Sequence, residues 1–485
     1  MTLTSASRSA PPPEASSNPE QTSALAPHEL PARRRTLALL ALALGGVGIG
    51  ASEFATMGLL PGIADGLLSG QMSADPKAGI ARAGGLITAY ALGVVVGAPV
   101  LALLSVRWSR TSMITALAVA LAAGTVLSAL MPTFELTMAA RFLAGVPHGA
   151  YFGVASLLAA SLMGPGSQGK GVAVALSGLT VANLIGVPLM TALGQVAGWR
   201  TVYLVIAAIF LATVLALRWT LPPQPAVPGR RAVDELLALR RVQLWIVMAL
   251  AAVGFSGGFA VFSYVADITT QVSGASASVV PWVLAAAGLG MTLGNILGGI
   301  TTDRSLRGTL LLGFPVYIAA LVGLFLAAPG SLPGLLIGFF AINVASSALG
   351  PALQTWLIRV AHRSEVLGAS LNHAAFNVAN ALGAALGGAV IAGGLGFRAP
   401  MVVAIVLAST GFVMGGATLV ALQLRSRRTL AVLREHEGTY TGSIPIIAAQ
   451  QEQEQEEQEE QGEEPCEESE PARTTTGTIP AMAGA

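Results

Sequence analysis

The segment VANLIGVPL, residues 181–189, recurs as VANALGAAL, residues 378–386, at an offset of 197 positions. Three single-residue matches share that offset: Gly97 with Gly294, Arg107 with Arg304, and Arg110 with Arg307. Matches at one spacing in separate parts of a chain indicate an internal duplication. The sequence therefore predicts two copies of one structural unit.

The composition is that of an integral membrane protein. Of the 485 residues, 53% are hydrophobic and only 11% are charged, whereas soluble domains carry about 25% charged residues. The formal net charge of +1 gives no sign of a nucleic-acid partner. The single cysteine, Cys466, lies in a polar tail, so no intramolecular disulfide can form.

Hydrophobic segments of about 20 residues, the length that crosses a bilayer, occur twelve times. These spans, numbered 1 to 12, are residues 36–60, 80–104, 112–131, 136–163, 170–195, 200–219, 242–266, 281–301, 309–328, 333–358, 366–392 and 399–423. A Pro- and Arg-rich linker at 221–241 follows the sixth span. We therefore predict an all-α membrane protein with two parallel six-helix repeats, at 36–220 and 242–424.

The two ends of the chain are polar. Residues 1–35 are rich in Ser, Pro and Ala, and residues 425–485 include the acidic run QQEQEQEEQEEQGEE at 450–464. Segments of this kind bury little apolar surface, so we predict disorder at both ends. Basic residues then set the orientation: eighteen Arg and Lys fall on the side of the termini and four on the other. The excess of basic residues on one side predicts that both termini are cytoplasmic.

Two parallel repeats joined by a cytoplasmic linker are typical of transporters that bind their substrate between the two halves. Three segments carry a more specific resemblance: ASEFATMGLLPGIADGL (51–67), RFLAGVPHGAYFGVAS (141–156) and GLTVANLIGVPLMTALGQVAGWR (178–200). With the twelve spans, they make residues 36–424 resemble the major facilitator superfamily. The segments are similar to those of its drug:proton antiporters, such as arabinose-efflux and chloramphenicol-efflux permeases.

The resemblance implies a cytoplasmic gate after spans 2 and 8. The second-half copy of the family's gate motif is GGITTDRSLR (298–307), which supplies Asp303, Arg304 and Arg307. The first-half copy, APVLALLSVRWSR (98–110), keeps Arg107 and Arg110 but has Val106 where the second half has Asp303. We therefore expect the gate to depend mainly on the second half.

The resemblance also implies exchange of substrate for protons. The family's exporter motif in span 5 is matched by five residues: Gly178, Asn183, Gly186, Pro188 and Gly194. Its Gly-Pro pair is interrupted here by Val187. The family's span 4 motif places an arginine involved in proton coupling at the position of Arg141.

Ionisable residues inside a membrane support the same region. A charge near the bilayer centre costs about 2.5–3.5 kcal/mol, so it persists mostly where it meets a partner or water. At about 1.5 Å per residue, Glu53 in span 1 and Arg141 in span 4 reach similar depths in the outer half of the membrane. We predict that they pair and line a cavity, and that His148, two turns below Arg141, relays protons. The alternatives are a structural role for Arg141, an interfacial Glu53 and a packing role for His148.

Further polar residues are candidates for the substrate cavity. They are Tyr151, Asn372, His373, Asn377 and Asn380. Asn183 and Asn380 occupy equivalent positions of the repeat, where interhelical hydrogen bonds are the more common role of asparagine. Asp65 and Asp267, at the outer ends of spans, are predicted to be solvated.

Other classes of function find no support in the sequence. GPGSQGKG (164–171) resembles a phosphate-binding loop, but Gly171 replaces the required Ser or Thr and a membrane span precedes it. We recognise no metal-ligand cluster or catalytic triad, so we expect no enzyme, metal or cofactor, with protons as the coupling ion. We expect a monomeric, multi-pass secondary transporter of the cytoplasmic membrane that exports a small organic molecule against proton entry. A sugar or nucleoside carrier or facilitator, and a receptor built on a transporter fold, are the alternatives.

Overall fold

The computed structural model describes residues 30–105, 108–163, 167–222, 224, 240–361 and 365–441. Twelve helices in this part of the chain are long and apolar enough to cross a membrane, which confirms the twelve predicted spans. Residues 1–29, most of the linker at 221–241 and residues 442–485 lie outside the described residues. Arg107 does as well.

The first half contains spans 1 to 6. Its helices are Ala32–Gly58, Leu60–Leu67, Ser69–Ala74, Pro76–Ala83, Gly85–Ser105, Arg110–Leu130, Phe134–Met163, Gln168–Val181, Val187–Ala197 and Trp199–Thr220. A π-helical turn at Ala182–Gly186 joins the two parts of span 5. Pro188 lies in the first turn of the second part, and because proline has no N–H, the regular hydrogen-bond ladder is interrupted there.

The second half contains spans 7 to 12. Its helices are Val242–Phe262, Val265–Asp267, Ile268–Val272, Ala277–Val279, Val280–Arg304, Leu306–Ala327, Leu332–Ala361, Glu365–Val390, Ile391–Leu395 and Ala399–Thr441. The last helix passes position 425, so the predicted disorder is wrong for 425–441. This stretch contains four Arg, two Leu and two Glu, residues that favour helix. By contacts, the chain through Thr418 forms one compact unit and a second begins at Leu419.

Glycines show the duplication in three dimensions. Span 2 packs on span 4 through Gly93 and Gly97, where an added Cβ atom would overlap the carbonyl oxygens of Phe142 and Val146. Span 8 packs on span 10 in the same way through Gly290, Gly294 and Gly298, against the carbonyls of Phe340, Val344 and Ala348. Small residues let membrane helices approach closely. The two halves therefore use one packing solution at equivalent places.

The halves meet along a seam, which we define as the contacts of span 2 with span 11 and of span 5 with span 8. Span 1 begins on one side of the bundle, which we call the terminal side. The hydrogen bonds across the seam lie toward the opposite side. Thr88 donates to the carbonyl of Ala381 at 3.5 Å, and the Gln195 amide donates to the carbonyl of Ala277 at 2.6 Å. We call that opposite side, where span 1 ends at Gly58, the closed side.

Spans 1 and 7 both break near the closed side. Leu59, with φ −101° and ψ 1°, separates Ala32–Gly58 from Leu60–Leu67. In span 7, Ser263 and Tyr264 separate Val242–Phe262 from Val265–Asp267.

The glycine packing can be tested within span 8. Gly294→Ala should lower the free energy of unfolding by about 1–3 kcal/mol, because the new methyl group meets the backbone of span 10 rather than a side chain that can move. Gly299→Ala is the matched control, since no atom lies within 4 Å of its added Cβ. Thermal unfolding in detergent measures both variants. An equal midpoint for both would contradict the packing described here.

Candidate functional site

A cavity of about 460 Å³ lies between the two halves. Its lining residues on spans 5, 8, 10 and 11 come from the parts of those spans nearer the terminal side, and Glu53 and His148 lie at its deep end. Six amide side chains line it: Asn183, Asn295, Asn343, Gln354, Asn372 and Asn377. Five aromatic rings do so as well: Phe54, Phe255, Phe259, Phe262 and Phe376. Among the described residues that line the cavity, the ionisable ones are Glu53, His148 and His373, and there is no Arg or Lys.

Glu53 links the two halves. Its side chain is buried, and Oε1 accepts a hydrogen bond from the Asn380 amide at 2.9 Å. Because Glu53 belongs to span 1 and Asn380 to span 11, this bond crosses between the halves at the deep end of the cavity. Asn380 thus makes an interhelical hydrogen bond, the role that asparagine commonly has in membranes, and it is not among the residues that line the cavity.

Arg141 is fully buried and does not line the cavity. Its Nη1 and Nη2 atoms donate to the side-chain and main-chain oxygens of Ser52, both at 3.0 Å. The guanidinium also lies 4.2 Å from the ring centre of Tyr90 and 5.4 Å from that of Tyr203. No ion pair within 4.0 Å joins it to Glu53, although its charge acts on the Glu53 carboxyl group. The two residues are neighbours, as predicted, but they form no direct pair, and the predicted place of Arg141 in the cavity lining is wrong. Glu53 directly follows Ser52, and neighbouring residues on a helix project about 100° apart. The guanidinium group that bonds Ser52 therefore does not bond the Glu53 carboxyl group.

His148 lies between Glu53 and Tyr90. Its Nδ1 atom is 4.0 Å from Oε2 of Glu53 and 3.2 Å from the Tyr90 hydroxyl. Since the ring of Tyr90 lies under Arg141 and its hydroxyl contacts His148, the two residues share one face of span 4, as their spacing predicts. Tyr90 and Ser52 connect this cluster, and sequence reasoning did not single out either. The contacts they make are set by packing between spans rather than by any local motif.

Two predicted cavity residues need separate accounts. His373 lines the cavity and stacks on Phe152, with the ring centres 5.1 Å apart and the planes 8° apart. Tyr151 does not line it, because its hydroxyl donates to the carbonyl of Leu42 at 3.0 Å and its ring fills the space beside Gly45. The hydroxyl therefore serves the packing of span 4 on span 1, and Tyr151 is not in the predicted place.

The amide oxygens of the cavity have unmet hydrogen-bonding capacity. Asn183, Asn372 and Asn377 each line it and have a buried Oδ1 atom without a hydrogen-bond partner. Asn183 therefore does not make the interhelical bond expected of it. These oxygens are acceptors, so they suit a bound molecule that carries hydrogen-bond donors.

The span 5 motif shapes the helix contacts around the cavity. A Cβ atom at Gly178 would overlap the carbonyl of Ala43 in span 1, and one at Gly194 would overlap the side chain of Leu59. Gly186 ends the π-helical turn, and Pro188 follows it. The main chain at Asn183 lies against Gly288 of span 8. These residues therefore allow span 5 to pack closely against spans 1 and 8.

The predicted gate residues lie on the terminal side, where span 8 ends and span 9 begins. Asp303, Arg304 and Arg307 are exposed, and their side chains form no hydrogen bond or ion pair with another described residue. Arg110 is the first residue of span 3. The two acids predicted to be solvated differ: Asp65 is exposed, but Asp267 is buried. The prediction is wrong for Asp267 because its segment, after the break at Ser263 and Tyr264, packs against span 1, Leu60–Leu67 and span 8.

Comparison with known proteins identifies the family. The family model described as Major Facilitator Superfamily matches residues 42–369 and 258–451. The inner membrane transport protein YdhP of Escherichia coli K12 is 38% identical over 362 residues, which cover 74% of this chain and 90% of YdhP. A chloramphenicol resistance protein of Streptomyces lividans is 30% identical over 399 residues, which cover 81% and 98%.

The fold agrees with this assignment. A D-xylose-proton symporter of known structure superposes with a TM-score of 0.63 at 18% identity, over 78% of this chain and 97% of that one. The family and the relatives in sequence are transporters, not enzymes. This chain therefore belongs to the Major Facilitator Superfamily of membrane transporters.

Proposed function

We propose that this protein exports a small organic molecule in exchange for protons, by alternating access across a bacterial cytoplasmic membrane. The observation that carries the proposal is the buried Glu53 carboxyl group at the deep end of the cavity, bonded to Asn380 of the other half. With both termini in the cytoplasm, as the basic residues predict, the terminal side is cytoplasmic and the cavity lies on the inner side of the seam.

Movement of the halves changes what Glu53 contacts. When the closed side of the seam opens, span 1 and span 11 separate, the bond to Asn380 breaks and water from outside reaches the carboxyl group. The carboxyl group then takes up a proton from the outer side. When the seam closes again, the carboxyl group faces the inner cavity and releases its proton there. Substrate and proton thus use one cavity at different stages of the cycle.

His148 and Arg141 support this exchange in different ways. His148 lies 4.0 Å from Glu53 and borders the cavity, so it can pass a proton between the carboxyl group and cavity water. Arg141 keeps its own proton at working pH and is not a carrier. It is a positioning residue that ties span 4 to span 1 at Ser52 and so fixes the neighbouring Glu53.

The lining of the cavity favours neutral or cationic substrates. No described lining residue is basic, and the carboxyl group and the amide oxygens offer acceptors beside aromatic surface. An amphiphilic molecule with hydrogen-bond donors fits this chemistry, and the name of the Streptomyces lividans relative supports drug export. Export of a sugar is the second candidate, because six amide side chains in one cavity also suit a molecule with many hydroxyl groups.

The coupling is tested by replacing Glu53. Glu53→Gln should abolish efflux driven by a pH gradient, because glutamine carries no exchangeable carboxyl proton, while exchange of substrate for substrate should continue. Everted vesicles with an acidic interior, supplied with chloramphenicol or with pentoses, measure transport with and without the gradient. Asp65→Asn, which neutralises an exposed acid, is the control and should behave as wild type. Gradient-driven transport at the wild-type rate in Glu53→Gln would disprove the proposal.

Arg141 is tested by the geometry of its contacts. Arg141→Lys keeps the charge but not the planar fork that meets both oxygens of Ser52, so transport should fall at least about tenfold and recover little with added substrate. Arg141→Ala should abolish gradient-driven efflux. Reconstituted vesicles with a pH-sensitive dye inside report the ratio of protons to substrate. If Arg141→Ala keeps the wild-type ratio, Arg141 serves only to tie the helices.

The gate is tested at Asp303. We expect this carboxylate to bond neighbouring helix ends only when the terminal side closes, which explains its exposure here. Asp303→Asn should therefore reduce transport and leave membrane insertion and the elution volume of the purified protein unchanged. Full transport by this variant would show that closing the terminal side does not require Asp303.

A further inference from the structure

Asp267 is a buried acid outside the membrane spans, on the closed side. Span 7 ends at Phe262, and Asp267 ends the short helix Val265–Asp267 that follows the break. Its side chain is 5% exposed, and its Oδ2 atom is buried without a hydrogen-bond partner. A buried carboxylate with an unpartnered oxygen is costly, whereas a neutral carboxyl group costs far less.

The segment that carries Asp267 lies between the two halves of the protein. Val265–Asp267 packs against span 1 and the short helix Leu60–Leu67 of the first half, and against span 8 of its own half. The preceding Tyr264 donates a hydrogen bond to the carbonyl of Ala384 at 2.7 Å, and its hydroxyl lies against Gly84 of the first half. When the halves separate on this side, Asp267 loses this cover and meets water.

No described basic group offsets the charge of Asp267. The helix Leu60–Leu67 contributes Asp65, and the segment itself contributes Tyr264. Glu53 of span 1 is held by Asn380, and the acid and base of span 8, Asp303 and Arg304, lie at its opposite end, roughly 35 Å away at about 1.5 Å per residue. The short turn Ile268–Val272 carries no ionisable side chain.

This environment disfavours the charged form. Burial raises the pKa of Asp267 from 3.8 to about 7, with a hydrogen bond from its own backbone N–H acting in the opposite direction and the charge of Asp65 adding to the rise. Once exposed to water, the group returns to its ordinary range. The closed form therefore binds this proton more tightly than the open form.

We propose that Asp267 is a second proton-binding site, occupied when the closed side of the seam is shut and emptied when that side opens. The sign follows from linkage. Below about pH 7 and down to about pH 4, each unit of falling pH favours the shut form about tenfold, because only that form holds the proton. Above about pH 7 the dependence ends. Protons outside the cell thus help to shut the outer side, independently of Glu53.

The test is a pair of spin labels across the closed side. Ser73→Cys in the first half and Ala392→Cys in the second are both exposed, and Cys466→Ser removes the native thiol. Double electron–electron resonance in detergent measures the ratio of short to long distances from pH 8 to pH 5. In a Glu53→Gln background, which removes the proton exchange of the proposed carrier, we expect the ratio to rise about tenfold per unit below pH 7. With Asp267→Asn added to that background, the ratio should be high and independent of pH.

Two controls separate this site from others. Asp65→Asn, which neutralises a neighbouring exposed acid, should keep the slope in that background, with a lower midpoint because the charge of Asp65 adds to the rise at Asp267. Asp267→Glu should keep the pH dependence but shift its midpoint. If Asp267→Asn does not fold, Asp267→Glu takes its place in the comparison with the Glu53→Gln background. A ratio that ignores pH in that background, or an unchanged slope and midpoint in the Asp267 variant, overturns the proposal. A slope lost only in Glu53→Gln also overturns it and leaves the proposed function standing.

Discussion

The hydrogen bond from Asn380 to Glu53 is the interaction on which the arrangement of the cavity depends. A carboxyl group at this depth is costly unless it has partners, and its partner here comes from the other half of the protein. The bond therefore does two things. It gives the buried Glu53 carboxyl group a hydrogen-bond donor, and it holds span 1 beside span 11. Any movement that opens the seam must first remove a partner from a buried acid.

The residues around Glu53 make sense as support for that bond. Arg141 fixes the main chain of span 1 at Ser52, and Tyr90 joins Arg141 to His148 through its ring and its hydroxyl. Glycines at the packing contacts allow the spans to approach closely enough for these short bonds. The polar cluster thus depends on the helix packing, and the packing is set by small residues that recur in both halves.

Much of the fold follows from the sequence because it depends on simple quantities. Span length and hydropathy predict the twelve helices, and the 197-residue offset predicts the equivalent packing of Gly97 and Gly294. The same reasoning does not predict which residues of different spans form hydrogen bonds with one another. Depth along a helix placed Glu53 near Arg141, but it could not show that the guanidinium bonds Ser52 or that Asn380 reaches Glu53. Asp267 was predicted to be solvated because nothing local predicts the break at Ser263 and Tyr264.

Two acids lie at different depths between the halves, Glu53 at the cavity and Asp267 toward the closed side. Infrared spectroscopy of the purified protein tests most directly whether Glu53 carries the proton. In an Asp267→Asn background, the band of a protonated carboxyl group should titrate with pH, disappear in Glu53→Gln and shift its midpoint in Asn380→Ala. A titrating band that persists unchanged in Glu53→Gln would contradict this account.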